Sequence, residues 1–313
     1  MLDFREWAIR PGRWMGRIGK QGSSTQPAGH SLLLVIGILV YLAVIFAVML
    51  WRGIDIEPQW VVLILLLIAL LLGRGRQFIT DWSPFLILFL AYEAMYGFAG
   101  KTGFVPHNIG FLEHKLFGFL PTVWLQQRLY DPARISLLDW ITMGLYFMHF
   151  VIPLLVGFFL WVRSRRCYWR FVAALLLMCF IAFGTYLFFP SAPPWWQYHD
   201  EVHKIVDETI QKWGVHYFVS PVYTHFNPNQ FAAFPSLHAA FPLLGAVFVW
   251  RESRIVGALL LLWAAGVWFA IVYLGEHYVV DALCGLVYVF FAVTVVTFVE
   301  RRFWRHRPAV SGM

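Results

Sequence analysis

Eight long apolar runs divide the chain, at 31–51, 57–72, 82–98, 138–162, 168–189, 234–250, 255–274 and 278–298. Most approach the roughly 20 residues that a helix needs to cross a bilayer. Backbone in lipid must satisfy its own hydrogen bonds, so each run predicts a helix rather than a strand. The second run is short, and Pro242 interrupts the sixth. Two long connections separate the runs, at 99–136 and 190–233. The first contains HKLFGFLPTVWLQQRLYD, too polar to span but rich enough in Leu, Phe and Trp to lie in the interface. The second opens with PSAPPWWQYHDE, whose prolines bar a regular helix at its start. Its paired Trp195 and Trp196 suit the headgroup layer. No internal repeat is evident. The pattern predicts an all-α fold, a polytopic membrane helix bundle with about eight transmembrane helices.

Composition agrees. Of 313 residues, 60% are hydrophobic and 13% charged, against about a quarter charged in soluble domains. The mean hydropathy is +0.66. The first run follows a long basic segment and carries no A-x-A-like cleavage site, so it predicts a retained helix rather than a secretory signal. Cys167, Cys179 and Cys284 form no CxxC or Cys/His spacing, which supports neither a disulfide framework nor a zinc site. They read as packing residues.

The net charge of +7 raises the question of nucleic acid, and its distribution answers it. With eight spans and a cytoplasmic N-terminus, the outer segments hold Arg52, Lys101, Lys115, Arg128, Arg134, Lys204 and Lys212. The other 17 of the 24 Lys and Arg residues fall inside. That asymmetry is the positive-inside pattern, with the charge facing an anionic leaflet. No nucleic-acid partner is needed to explain it. The expectation is a multi-pass protein of the plasma (inner) membrane, both termini cytoplasmic.

Three motifs fall on the outer side. FPSLHAAF, residues 234–241, opens the sixth run; Pro235 and Ser236 are helix-start signals and His238 lies in the first turn. A helix N-terminus there would offer N–H groups and a positive dipole end to an anion. YLGEHYVVDALCG, residues 273–285, places His277 and Asp281 four apart, on one face if helical. A carboxylate one turn from an imidazole fixes its tautomer and raises its nucleophilicity. Asp281 sits within an apolar run, where an ionisable group is functional by default. FFPSAPPWW, residues 188–196, is a rigid turn leaving the fifth run; alone it reads as a plain membrane exit.

P-S-x-H followed by H-x-x-x-D resembles the type 2 phosphatidic acid phosphatase superfamily. PSAPPW, FPSLH and YLGEHYVVD resemble its inositol-phosphorylceramide synthase branch more closely. The resemblance covers residues 111–285. It implies a six-helix lipid-phosphatase-like core with added helices, no metal and no cofactor. It also implies a triad in which His277 is the nucleophile, Asp281 orients it and His238 protonates the leaving group. The phosphatases' K-x6-R-P is absent, and Ile271 stands where they carry Arg, six residues before His277. Phosphate must therefore find other donors: backbone N–H groups near Ser236, and Arg128, Lys115 or Arg134 from the first outer connection. Pro193 and Trp195 of PSAPPW complete the candidate binding residues.

The expected domains are a basic cytoplasmic segment at 1–30, added transmembrane helices at 31–98, a catalytic membrane domain at 99–300 and a basic tail at 301–313. The implied activity is phosphoryl chemistry on a membrane lipid at the outer face, through a phosphohistidine. The acceptor is open: a lipid alcohol receiving a phospho-polyol headgroup, a polyol, or water acting on a lipid or polyprenyl phosphate. The oligomeric state is open too. A transporter is the rival from another class, with Glu93, Asp139 and His149 as intramembrane ionisable groups.

Overall fold

The computed structural model describes residues 58–99, 103–148, 151–214 and 229–304, all within one unit of the chain, Phe46–Met313. The first apolar run, and His149 with it, lie outside the described residues. Twelve helices are described. They are α1 (Pro58–Leu71), α2 (Gly75–Ala99), α3 (Gly110–Phe117), α4 (Pro121–Leu129), α5 (Leu137–Phe147) and α6 (Val151–Arg163). They continue as α7 (Arg165–Phe188), α8 (Pro194–Gln197), α9 (Ile205–Trp213), α10 (Leu237–Val249), α11 (Arg254–Tyr273) and α12 (Val279–Trp304). Among the described residues no strand forms, only isolated parallel bridges that join Ser191 to His107 and to Ala232. The fold is the all-α bundle that the apolar runs predict.

Three described helices are long and apolar enough to cross a membrane: Arg165–Phe188, Arg254–Tyr273 and the first 24 residues of α12, Val279–Arg302. The run at 138–162 is divided between α5 and α6, whose axes differ by 55°. The second and sixth runs form α1 and α10, only 14 and 13 residues long. Pro242 lies inside α10 without ending it. The two polar connections fold as short helices, α3 and α4 from the first, α8 and α9 from the second.

The helix ends follow local chemistry. Ser164, Ser236 and Ser253 accept the N–H three residues on, at the starts of α7, α10 and α11. Ser136 and Asp139 form a reciprocal capping box at α5. Asp139 is fully buried and also accepts the Tyr273 hydroxyl at 2.7 Å. The carboxylate considered for transport is thus tied to a cap and a tyrosine. The side chain of Glu93, like His149, lies outside the described residues.

Short α10 is central, packed against α6, α7, α11 and α12. Its core is apolar: Phe171, Leu175 and Met178 of α7 meet Phe241, Leu244 and Phe248 of α10. Close approach of α10 and α12 depends on Gly285. A Cβ there would lie 2.6 Å from the Ser236 carbonyl oxygen. That carbonyl accepts the Ala240 N–H and cannot retreat cheaply.

This contact predicts that Gly285→Ala lowers the melting temperature by several degrees and impairs turnover, whereas Gly144→Ala does neither. Gly144 is exposed on α5 with nothing near its missing Cβ, so alanine should gain roughly 0.5–1 kcal/mol of helix propensity there. Thermal melts of both variants in detergent check it; equal melting temperatures would show that the α10–α12 gap has slack.

Candidate active site

At one end of the bundle, the non-helical segments next to α7, α10, α11 and α12 have backbone groups paired across it. Ser191, just beyond α7, carries much of this. Its N–H donates to the Phe231 carbonyl, its carbonyl accepts the Ala233 N–H, and its hydroxyl accepts the Phe234 N–H at 2.7 Å. The Tyr186 hydroxyl, buried in the last turn of α7, donates to the Pro235 carbonyl at 2.7 Å. The Ser236 N–H donates to the Asp281 carbonyl. The Trp195 N–H donates to the Gly275 carbonyl, two residues before His277. The PSAPPW stretch is therefore more than a membrane exit: it holds both histidine-bearing segments.

His277 lies on the turn ahead of α12, not on the helix. The four-residue spacing suggested one helical face. Instead, the Asp281 side chain folds back over the helix start. One of its oxygens, Oδ2, accepts the Tyr278 N–H at 2.8 Å and lies 3.4 Å from His277 Nδ1. The nearer partner of Nδ1 is the Ala233 carbonyl at 2.9 Å. A carbonyl only accepts, so Nδ1 carries the proton and Nε2 the lone pair of the neutral ring. His238, in the first turn of α10, brings its Nδ1 within 3.2 Å of that Nε2. The His238 ring stacks on Tyr146 at 4.5 Å, with only 11° between the planes. His277 and Asp281 are buried. The arrangement presents an oriented nucleophilic nitrogen beside a proton donor.

The candidate binding residues are placed as follows. Ser236 is fully buried; its hydroxyl caps α10 and its N–H is committed to Asp281. The N–H groups of Leu237 and His238 are the first of α10 and precede any intrahelical acceptor. Pro193 precedes α8 and is buried, and the buried Nε1 of Trp195 has no hydrogen-bond partner. Arg128 is exposed, its guanidinium 4.2 Å over the Trp124 ring and its Nη1 on the Trp124 carbonyl. Lys115 is exposed on α3. Arg134 is exposed and pairs with Asp131 at 2.8 Å.

Several residues at the site escaped the motif reading. Lys204 sits 4.1 Å over the Trp195 ring and pairs with Asp207. Buried Gln126 of α4 bonds the Tyr273 carbonyl and both backbone groups of His203, so it ties the two polar connections to the end of α11. Glu113 of α3 is fully buried. Its Oε1 accepts the N–H groups of Val279 and Val280, the first two residues of α12. Two carboxylates thus share one helix start, where the dipole favours negative charge. Glu113 Oε2 and Asp281 Oδ1 are both buried without a hydrogen-bond partner. Burial pushes the Glu113 carboxyl up to about 7, against the pull of those two N–H groups, and the nearby Asp281 charge adds to the rise. A glutamate in a mixed polar stretch gives no sequence signal of such a role.

The chain is thus a membrane helix bundle in which two histidines and a carboxylate meet at one end. The family description that matches is the PAP2 superfamily, over residues 111–295. The chain belongs to that superfamily and is a multi-pass membrane protein. It is also similar to a protein of Bacteroides thetaiotaomicron named phosphoinositol dihydroceramide synthase. The two are 31% identical over 156 residues, 46% of this chain and 50% of the relative. The chain therefore spans about half the length of that relative. No solved structure matches it.

Glu113 generates a pH prediction. Between its ordinary value near 4.5 and about 7, the folded protein keeps a proton that the unfolded chain releases. Stability from this group is full below that window and falls as pH rises through it. Glu113→Gln keeps the acceptor for the α12 N–H groups but cannot ionise. The melting temperature of the unaltered protein should drop by a few degrees more across the window than that of the glutamine variant. Parallel slopes would show that Glu113 does not exchange a proton there.

Proposed function

We propose that this chain is a membrane lipid phosphotransferase or phosphatase working through a phosphohistidine on His277, with residues 99–300 as its catalytic domain. The single observation that carries this reading is the orientation of His277. With Nδ1 held by the Ala233 carbonyl and the Asp281 carboxylate, the lone pair of Nε2 points at the Nδ1 proton donor of His238. Nε2 attacks the phosphorus of a lipid phosphate ester in line with the bond that breaks. The proton on His238 Nδ1 passes to the departing oxygen. Positive charge on the His277 ring is stabilised by Asp281. An acceptor hydroxyl then returns its proton to His238, attacks phosphorus and releases Nε2. Catalysis in such a transfer is mostly positioning and charge stabilisation. The α10 N-terminus supplies about half a positive charge, and Arg128, Lys115 or Arg134 supplies the rest.

The name of the bacterial relative favours transfer of a phosphoinositol-type headgroup to a lipid alcohol over hydrolysis. A polyol acceptor, or water, gives other products of the same first step, so product analysis separates them. The excess of Lys and Arg in the inner segments supports an outward-facing site with both termini cytoplasmic.

Trapping tests the chemistry. Phosphorus-labelled lipid should leave an acid-labile label on His277, and His277→Ala should abolish both label and turnover. Asp281→Asn should slow turnover at least about 100-fold. His238→Ala should cost about 10²–10⁴-fold and least when the leaving group is already acidic. A His277→Ala protein with near-normal turnover would end this reading.

Arg128 and the orientation have their own checks. Guanidinium grips phosphate with two parallel bonds, so Arg128→Lys should be impaired and Arg128→Ala more so, with unchanged melts. If alanine at Arg128, Lys115 and Arg134 each leaves turnover intact, phosphate is held without them. Cysteine at Asp200, whose side chain is 90% exposed, should react with an impermeant reagent in intact cells, and cysteine at Arg302 only after lysis. The reverse pattern would invert the topology.

A further inference from the structure

An apolar groove of about 320 Å³ opens between α4, α11 and the start of α12, walled by Phe119, Trp124, Phe269, Val272, Val279 and Ala282. We propose that it receives one hydrocarbon chain of an anionic, phosphate-bearing lipid whose headgroup lies at the paired histidines, with Arg128 as the cation at its rim. The proposal rests on the phosphoryl-transfer reading of that site.

Four observations converge. The walls come from the outer ends of α11 and α12, which both qualify as spans, so the groove opens at the depth of one leaflet. Water in so apolar a space would lack the polar partners it requires, and hydrocarbon fills it better. The groove also borders the segments that carry the site. Val279 and Ala282 flank Asp281 in sequence on the first turn of α12, and Trp268, another wall residue, donates its indole N–H to the Ala239 carbonyl, one residue beyond His238. Finally, Trp124 links the apolar wall to charge, since the Arg128 guanidinium lies over its ring. An apolar slot with one cation at its mouth, beside a nucleophilic imidazole, matches an amphiphile with an anionic head. A chain moving from bilayer to groove leaves one hydrocarbon for another, so dehydration contributes little. Selectivity must come from packing and shape, which predicts sensitivity to groove width.

The test uses the unaltered protein in nanodiscs doped with phosphatidic acid or phosphatidylinositol bearing a mid-chain diazirine. The reference lipid is a diacylglycerol with the same chain. After illumination, labelled residues are mapped by mass spectrometry. The expected result is label concentrated at 119–125 and 268–282, several-fold above the diacylglycerol and reduced by Arg128→Ala. Leu125→Trp, which narrows the groove, should displace label from it. Phe269→Ala, which widens it, should shift labelling toward bulkier chains. Label spread evenly over the outer helix surfaces, or equal with the uncharged lipid, would mark ordinary bilayer lipid and overturn the proposal. Turnover of the same anionic lipids is measured in parallel. Groove labelling without turnover supports the groove and counts against the enzyme reading; turnover with dispersed label counts against the groove alone.

Discussion

The site depends on one constraint: a stretch of non-helical backbone, residues 231–236, must run through one buried end of a membrane bundle with its polar groups paired. In a medium without water, an unpaired N–H or carbonyl costs several kcal/mol. Several bonds that meet this need also position the two histidines. Ser191 takes the N–H groups of Ala233 and Phe234. Tyr186 takes the Pro235 carbonyl, and Asp281 the Ser236 N–H. The Ala233 carbonyl that remains accepts from His277. Backbone satisfaction and imidazole orientation are thus one arrangement seen from two sides.

The same economy of charge shapes the start of α12. Four successive N–H groups there would otherwise be orphans in an apolar setting. Asp281 and Glu113 accept those of Tyr278, Val279 and Val280. Asp281 thus caps the helix and also lies 3.4 Å from His277 Nδ1. Glu113 shares the capping, and it also brings α3 of the first polar connection into the frame of the site. Residues of that connection such as Gln126 and Glu113 are therefore structural members of the site, even though their helices are too short to span.

Cations are arranged differently. Inside the bundle, the buried Asp81 carboxylate is matched by Arg165 and Trp161. Elsewhere, several positive side chains lie over aromatic rings: Arg128 on Trp124, Lys204 on Trp195 and Arg74 on Trp161. An aromatic shelf holds a guanidinium or ammonium near an apolar boundary without neutralising it. Lys204 is paired with Asp207 as well, and the Arg128 guanidinium also donates to the Trp124 carbonyl.

Length, apolar periodicity and charge asymmetry were enough to establish a membrane helix bundle, because lipid leaves a chain so few ways to satisfy its backbone. FPSLH and YLGEHYVVD singled out His238, His277 and Asp281 for a related reason, since an ionisable residue in an apolar run is costly, and the fold brings the three together. Helix starts were legible at Ser236, where a capping serine precedes the run. Sequence alone did not decide that His277 would sit ahead of α12, that Asp281 would reach back to it, or that 138–162 would fold as two helices. Nor did it reveal Glu113, Gln126 and Ser191 as partners. Those outcomes turn on contacts between residues far apart in the chain, as with Glu113 and Val279 or Ser191 and Phe234. A local pattern records which residues share a helix face. It does not record which distant backbone groups will be left unpaired, and in this fold those groups chose the partners.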